Sequence, residues 1–294
     1  MIGTQRPISA TARPREPPWQ GRGYVPVDMS EPIVAFALTD LAGRPREGHL
    51  PDRSFYAAST MKVAVLVDVF RRHDAGVADV DSLVTVATMF RSGVDGSSFA
   101  IDPDEVDAEL SARVGDQVSI RYLAERMITV SSNEATNLLL QLSGFEGIAV
   151  LLKDLGAHGT VVQRLLDDDR ARAAGRDNHV TPADLSRLMT AIAGGVAASP
   201  RSCAEMLAIL GRQHYRDEIP AALPAGTRVA NKTGWVTGIL HDTALVWPRD
   251  AAPYCLTVCT EGFQDQQSAR QAIQEVSARA WARREPADPG EANL

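Results

Sequence analysis

Lysine is almost missing from this chain. Of thirty basic side chains only three are lysine, and two of those three stand in short polar motifs, Ser59-Thr60-Met61-Lys62 and Lys232-Thr233-Gly234. Arginine serves wherever a fixed positive charge is wanted and keeps its proton, whereas a desolvated lysine can become a neutral base. The scarcity therefore marks Lys62 and Lys232 as candidates for proton transfer. Cysteine is equally sparse. Cys203, Cys255 and Cys259 provide neither a disulfide framework nor a zinc-binding spacing, and they read as reduced core residues. No apolar run is long enough to span a bilayer, so no membrane partner is expected. A net charge of −7 argues against nucleic acid as a partner. Nothing hints at a metal or a cofactor, and the acidic stretch Asp102 to Asp107 reads as a solvated surface loop. A small-molecule substrate and a monomeric chain are expected. The first 24 residues contain Arg6, Arg13, Arg15 and Arg22 among prolines but no apolar core of a signal peptide. The chain as given is expected in the cytoplasm, and outside it only if a leader has been removed.

What is present is a set of three motifs. Met61 to Phe70 is apolar on nearly every side, which predicts a helix buried all round, starting at Ser59 or Thr60 and stopping near Gly76. Residues three apart share a helical face, so Lys62 is expected within hydrogen-bond reach of the Ser59 hydroxyl. Burial should lower its pKa toward that of a working base. An ordinary helix cap would account for the serine alone, but not for a lysine set among valines. The second motif, Ser131-Ser132-Asn133, interrupts two apolar helical stretches with groups that need partners when buried. Ser131 is read as a proton relay and Asn133 as an amide offered to a substrate carbonyl or to Lys62; a local cap is the alternative. In the third motif Gly234 would allow close approach to a strand backbone, with Lys232 and Thr233 offering a cation and a hydroxyl to a substrate carboxylate.

The expected fold class is α+β: a five-stranded antiparallel sheet flanked by helices, with strands from both chain ends, plus an all-helical lobe. Strands are expected at 33–38, near 54–58, and at about 228–234, 242–248 and 254–260, with a closing helix over 264–284. Residues 25–58 and 216–284 would form the sheet lobe and 59–215 the helical lobe. Residues 1–24 and 285–294 would be disordered tails, and the active serine would lie at the seam between lobes.

In this order and at these separations the three motifs resemble those of the penicillin-recognising serine enzymes, and their context resembles the class A β-lactamases over about residues 30–283. The resemblance implies a serine hydrolase that opens a β-lactam amide. Ser59 would attack the carbonyl and Lys62 would take its proton. Ser131 with Lys232 would protonate the leaving nitrogen, and the amides of Ser59 and Trp235 would form the oxyanion hole.

Departures from the family pattern bear on turnover and substrate. The family carries a glutamate after the second motif that positions the deacylating water. The corresponding stretch here, Arg164 to Asn178, contains none. With Arg164 as anchor the glutamate's place falls on Leu166, and the nearest carboxylate is Asp167, either a replacement base or part of a solvated acidic turn paired with Arg170, Arg172 and Arg176. Slow deacylation is expected. Arg164 and Asp177 are expected to pair across the neck of the loop. Trp235 stands where the family commonly has a small residue, and an arginine that often clamps the substrate is missing from Ile239 to Asp242, leaving His241 as a partial substitute or a structural residue. Two alternatives follow: an esterase, thioesterase, peptidase or acyltransferase working on another acyl group, or a penicillin-binding module that acylates without turnover.

Overall fold

The computed structural model describes residues 31–286; the expected tail 1–24, residues 25–30 of the sheet lobe and the tail residues 287–294 lie outside the described residues. Five strands, β1 (Ile33–Asp40), β2 (Pro45–His49), β3 (Arg228–Val236), β4 (Ile239–Trp247) and β5 (Tyr254–Glu261), form one antiparallel sheet in the order β2-β1-β5-β4-β3. The two ends of the chain meet in it, with Ala35 opposite Cys259 and Thr243 opposite Thr257. The edge strand β2 departs from the sequence reading, which placed the fifth strand near 54–58. Pro-Arg-Glu-Gly-His has no apolar alternation because it is a mostly exposed edge, where charge and proline discourage further pairing. Phe55–Tyr56 instead pairs with His179–Val180 in a separate two-stranded piece.

Alternating residues of the strands serve two cores. Ala35, Leu245, Cys255 and Cys259 pack into the helical lobe. Phe36, Leu38, Leu256 and Val258 pack beneath helix α5 (Gln266–Ala282), against Ile273, Val276 and Ala280. All three cysteines are free and buried. Beyond the closing helix, Glu285 and Pro286 are not the start of a free tail: they meet Ala252 and Ala251 in a short antiparallel bridge.

The helical lobe is organised on α1 (Lys62–Asp74), in which every residue from Lys62 to Phe70 is buried. Burying side chains such as its valines stabilises by about 1.5–3 kcal/mol each. Around it pack α2 (Ile120–Thr129), α3 (Asn133–Ser143) and α4 (Pro182–Ala193). No single helix among the described residues is long and apolar enough to cross a membrane. A 3-10 turn, Ala58–Met61, precedes α1 and packs on the outer edge of β3, so the serine of the first motif and the strand of the third motif face one another at the seam between lobes.

Candidate active site

The contact between that turn and β3 explains Gly234. A Cβ built there would lie 2.6 Å from the Ser59 nitrogen and 2.8 Å from the Thr60 nitrogen, shorter than atoms tolerate. Glycine was expected to admit a ligand to the strand. Here it admits the backbone of the turn, and so brings the amide of Ser59 up to the edge that carries the amide of Trp235.

Ser131 occupies the gap between α2 and α3, while Ser132 caps α3 by accepting from the amide of Ala135. Ser131 has φ +59°, and Ala58 and Asp167, two more of the four non-glycine residues with positive φ among the described residues, sit on the segments carrying Ser59 and the Arg164–Asn178 loop. Left-handed backbone at such residues costs about 1–3 kcal/mol each and concentrates at working sites. The turn aims the Ser131 hydroxyl between two ammonium groups. Lys62 Nζ donates to Ser131 Oγ at 3.2 Å, to the Ser131 carbonyl at 2.7 Å and to Asn133 Oδ1 at 2.8 Å. Lys232 Nζ donates to the same Ser131 Oγ at 3.1 Å and to the Thr233 carbonyl at 2.6 Å. Lys62 thus bonds the second motif rather than the Ser59 hydroxyl expected from helical spacing, because the first turn is 3-10 and the ammonium points across to α3.

Neither lysine has solvent exposure. Burial and then the Lys232 charge push the Lys62 pKa well below the ordinary lysine range. Burial lowers Lys232 to about 7, against the opposing pull of Asp242 and Glu218. Asp242, buried beneath the strand, is itself shifted well upward by burial and by the Glu218 charge. Thr233 is fully buried, and its Oγ1 has no hydrogen-bond partner among the described residues.

His241 is corrected from a substrate contact to a structural residue. It is fully buried, its Nε2–H donates to the Tyr56 carbonyl at 2.9 Å and its Nδ1 accepts from the Thr260 amide at 3.2 Å, so no ring nitrogen remains for a ligand. Burial lowers its pKa to about 4.

The Arg164–Asn178 loop closes as expected: Arg164 Nε donates to Asp177 Oδ1 at 2.8 Å, and its other nitrogens reach Tyr56 Oη and the Leu165 carbonyl. Of the expected arginine pairings within the loop, Arg172 pairs with Asp169, whereas Arg170 reaches Asp95 and Arg176 the Gly93 carbonyl. Leu166 is pinned through its backbone, whose amide and carbonyl bond the side chain of Asn137 on α3. Asp167 turns its carboxylate to the Asp102 amide at 3.2 Å, and burial raises its pKa.

A cavity of about 530 Å³ opens over Ser59, with Ser131, Asn133, Trp235, Tyr215 and Glu105 in its wall. Two of these wall residues were not singled out in the sequence. Tyr215 meets Trp235 edge to face at 4.9 Å between ring centroids, making one aromatic side of the cleft. Glu105, in a stretch read as solvated, accepts from Asn133 Nδ2 at 2.8 Å. Its sequence signal was the turn-forming Asp102-Pro103 just before it.

A buried lysine pair sharing one serine hydroxyl, beside a second serine at a helix start packed on the outermost strand of the sheet, defines the class: a serine enzyme built for acyl transfer, on the two-lobed fold of the class A β-lactamases. Comparison with known proteins gives the family. Residues 29–283 match the model of the β-lactamase enzyme family, and the chain belongs to it. It is 31% identical over 150 residues to a β-lactamase of Bacillus amyloliquefaciens, spanning about half of that relative (49%). Over 238 residues it is 28% identical to β-lactamase AST-1 of Nocardia asteroides, covering 79% of this chain and 73% of the relative. The crystal structure of a β-lactamase from Sphaerobacter thermophilus superimposes with a TM-score of 0.73 at 28% identity, over 85% of this chain and 91% of that one.

Proposed function

We propose that this chain opens a β-lactam amide through an acyl-enzyme on Ser59 and hydrolyses that intermediate slowly. The observation that carries the reading is the bridge through Ser131 Oγ, 3.2 Å from Lys62 Nζ and 3.1 Å from Lys232 Nζ. Both lysines are held toward their neutral forms. Lys62 takes the Ser59 proton as the hydroxyl attacks, and the Ser131–Lys232 pair delivers a proton to the leaving nitrogen. The amides of Ser59 and Trp235 stabilise the oxyanion, and Asn133 offers its amide to a second carbonyl of the substrate. Slow deacylation follows from Leu166, an apolar side chain at the place of the family's glutamate, and the Tyr215–Trp235 wall favours a flat acyl group. The test is burst kinetics with a chromogenic cephalosporin: a stoichiometric burst followed by slow turnover is expected, and Ser59→Ala removes both phases. Turnover that survives in Ser59→Ala would exclude the reading.

A further inference from the structure

The loop from Asp102 to Asp107 is anchored at both ends by carboxylates from the body of the protein. Asp167 Oδ2 accepts from the Asp102 amide at 3.2 Å, and the fully buried Glu134 accepts from the Asp107 amide at 3.1 and 3.2 Å and from Ser111 Oγ at 3.2 Å. Between the anchors a short 3-10 turn, Pro103–Glu105, is capped by Asp102, whose side chain accepts from the Asp104 amide at 3.0 Å. Such a loop holds a defined shape. It presents Glu105 in the wall of the same cavity as Ser59, and Asn133 fixes one of its carboxylate oxygens at 2.8 Å. Through the other end of that amide, Asn133 Oδ1 to Lys62 Nζ at 2.8 Å, Glu105 is one residue from the proposed proton acceptor of the acylation step. Its Oε1 takes no hydrogen bond from the described residues. Asp167 is spent on the Asp102 amide and does not line the cavity.

We propose that Glu105 is the base for deacylation, supplied from the Asp102–Asp107 loop in place of the glutamate that the Arg164–Asn178 loop lacks. The inference rests on the acyl-enzyme reading above. In the step, a water oxygen bonds to the acyl carbonyl carbon as one of its protons passes to a Glu105 oxygen. The tetrahedral intermediate then breaks its bond to Ser59 Oγ, and Glu105 returns the proton to that oxygen, leaving a free serine and a carboxylic acid. Burial and the neighbouring Asp167 charge raise the Glu105 pKa, opposed by Lys62, which suits a carboxylate that must accept a proton.

The experiment follows the Ser59 adduct of a penicillin by intact-protein mass spectrometry in the native chain, Glu105→Gln and Glu105→Asp. Glutamine keeps an acceptor for Asn133 but cannot take a proton. Adduct decay in Glu105→Gln is expected at least about 100-fold slower than native, a loss at least about tenfold larger than any loss in adduct formation; Glu105→Asp recovers part of the decay. Decay in the native chain rises with pH through the titration of Glu105, whose charged neighbours are Asp167, Lys62 and Asp102, and this limb is absent in Glu105→Gln. Decay within about threefold of native in Glu105→Gln, formation and decay slowed alike, or decay abolished by Asp167→Asn alone would each overturn the assignment. Absence of any adduct on the native chain would overturn the acyl-enzyme reading itself, a result distinct from an adduct that decays without Glu105.

Discussion

Replacing Gly234 by alanine tests how the turn and the strand make one site. The added Cβ would stand 2.6 Å from the Ser59 nitrogen and 2.8 Å from the Thr60 nitrogen, both backbone atoms, with Ala58 Cβ at 3.2 Å as a third obstacle. No flexible side-chain end can move aside. Restoring ordinary contact at 3.4 Å requires the Ser59 amide to retreat by about 0.8 Å, and displacements near 1 Å in a reacting geometry cost on the order of 100-fold. That equals about 3 kcal/mol, the range for losing one oxyanion-hole donor. Single-turnover acylation by a chromogenic cephalosporin is the assay, with thermal melting to confirm that Gly234→Ala folds. An acylation rate about 100-fold below native is expected. A rate within about threefold of native in a folded variant would refute the claim that this glycine sets the amide pair.

Two further predictions concern the titrating groups. Lys62→Arg keeps the charge but not the ability to release a proton, so acylation should fall about 1,000-fold in single-turnover measurements, and a fall of less than tenfold would remove Lys62 from the role of base. His241 has its pKa lowered from 6.5 to about 4 by burial, so between these values the unfolded chain binds a proton that the folded chain refuses. Folding stability from this group is complete above pH 6.5 and is lost as pH falls toward 4, by about 3 kcal/mol. Urea unfolding across that window should show the slope in the native chain and a flatter one in His241→Gln; equal slopes would contradict the assignment of His241 as a buried neutral imidazole.

The motifs were legible because each couples a chemical requirement to a local pattern. A lysine inside an apolar helix, Lys62, has no bland explanation, and Ser131 interrupts two helices where a polar group needs partners. The sheet was legible from β1, β4 and β5, whose runs are apolar because both faces are covered. What escaped was set by tertiary context. The edge strand Pro45–His49 is defined by its neighbour β1 rather than by its own residues. Glu105 looks like solvation until the carboxylates of Asp167 and Glu134 fold its loop inward. His241, at the start of a strand near the third motif, was brought toward the site by sequence position, but its two nitrogens are claimed by Tyr56 and Thr260. Gly234 was recognised as a close-approach position, although which backbone approaches depends on the packing of two lobes distant in sequence.

The most direct test of the central claim is a time course of intact protein mass after mixing with a labelled penicillin, for the native chain and Ser59→Ala. The expected result is one adduct per native chain, mapped to Ser59, that clears slowly while hydrolysed product accumulates, and no adduct on the variant. Label on any residue other than Ser59, or label retained by Ser59→Ala, would contradict it.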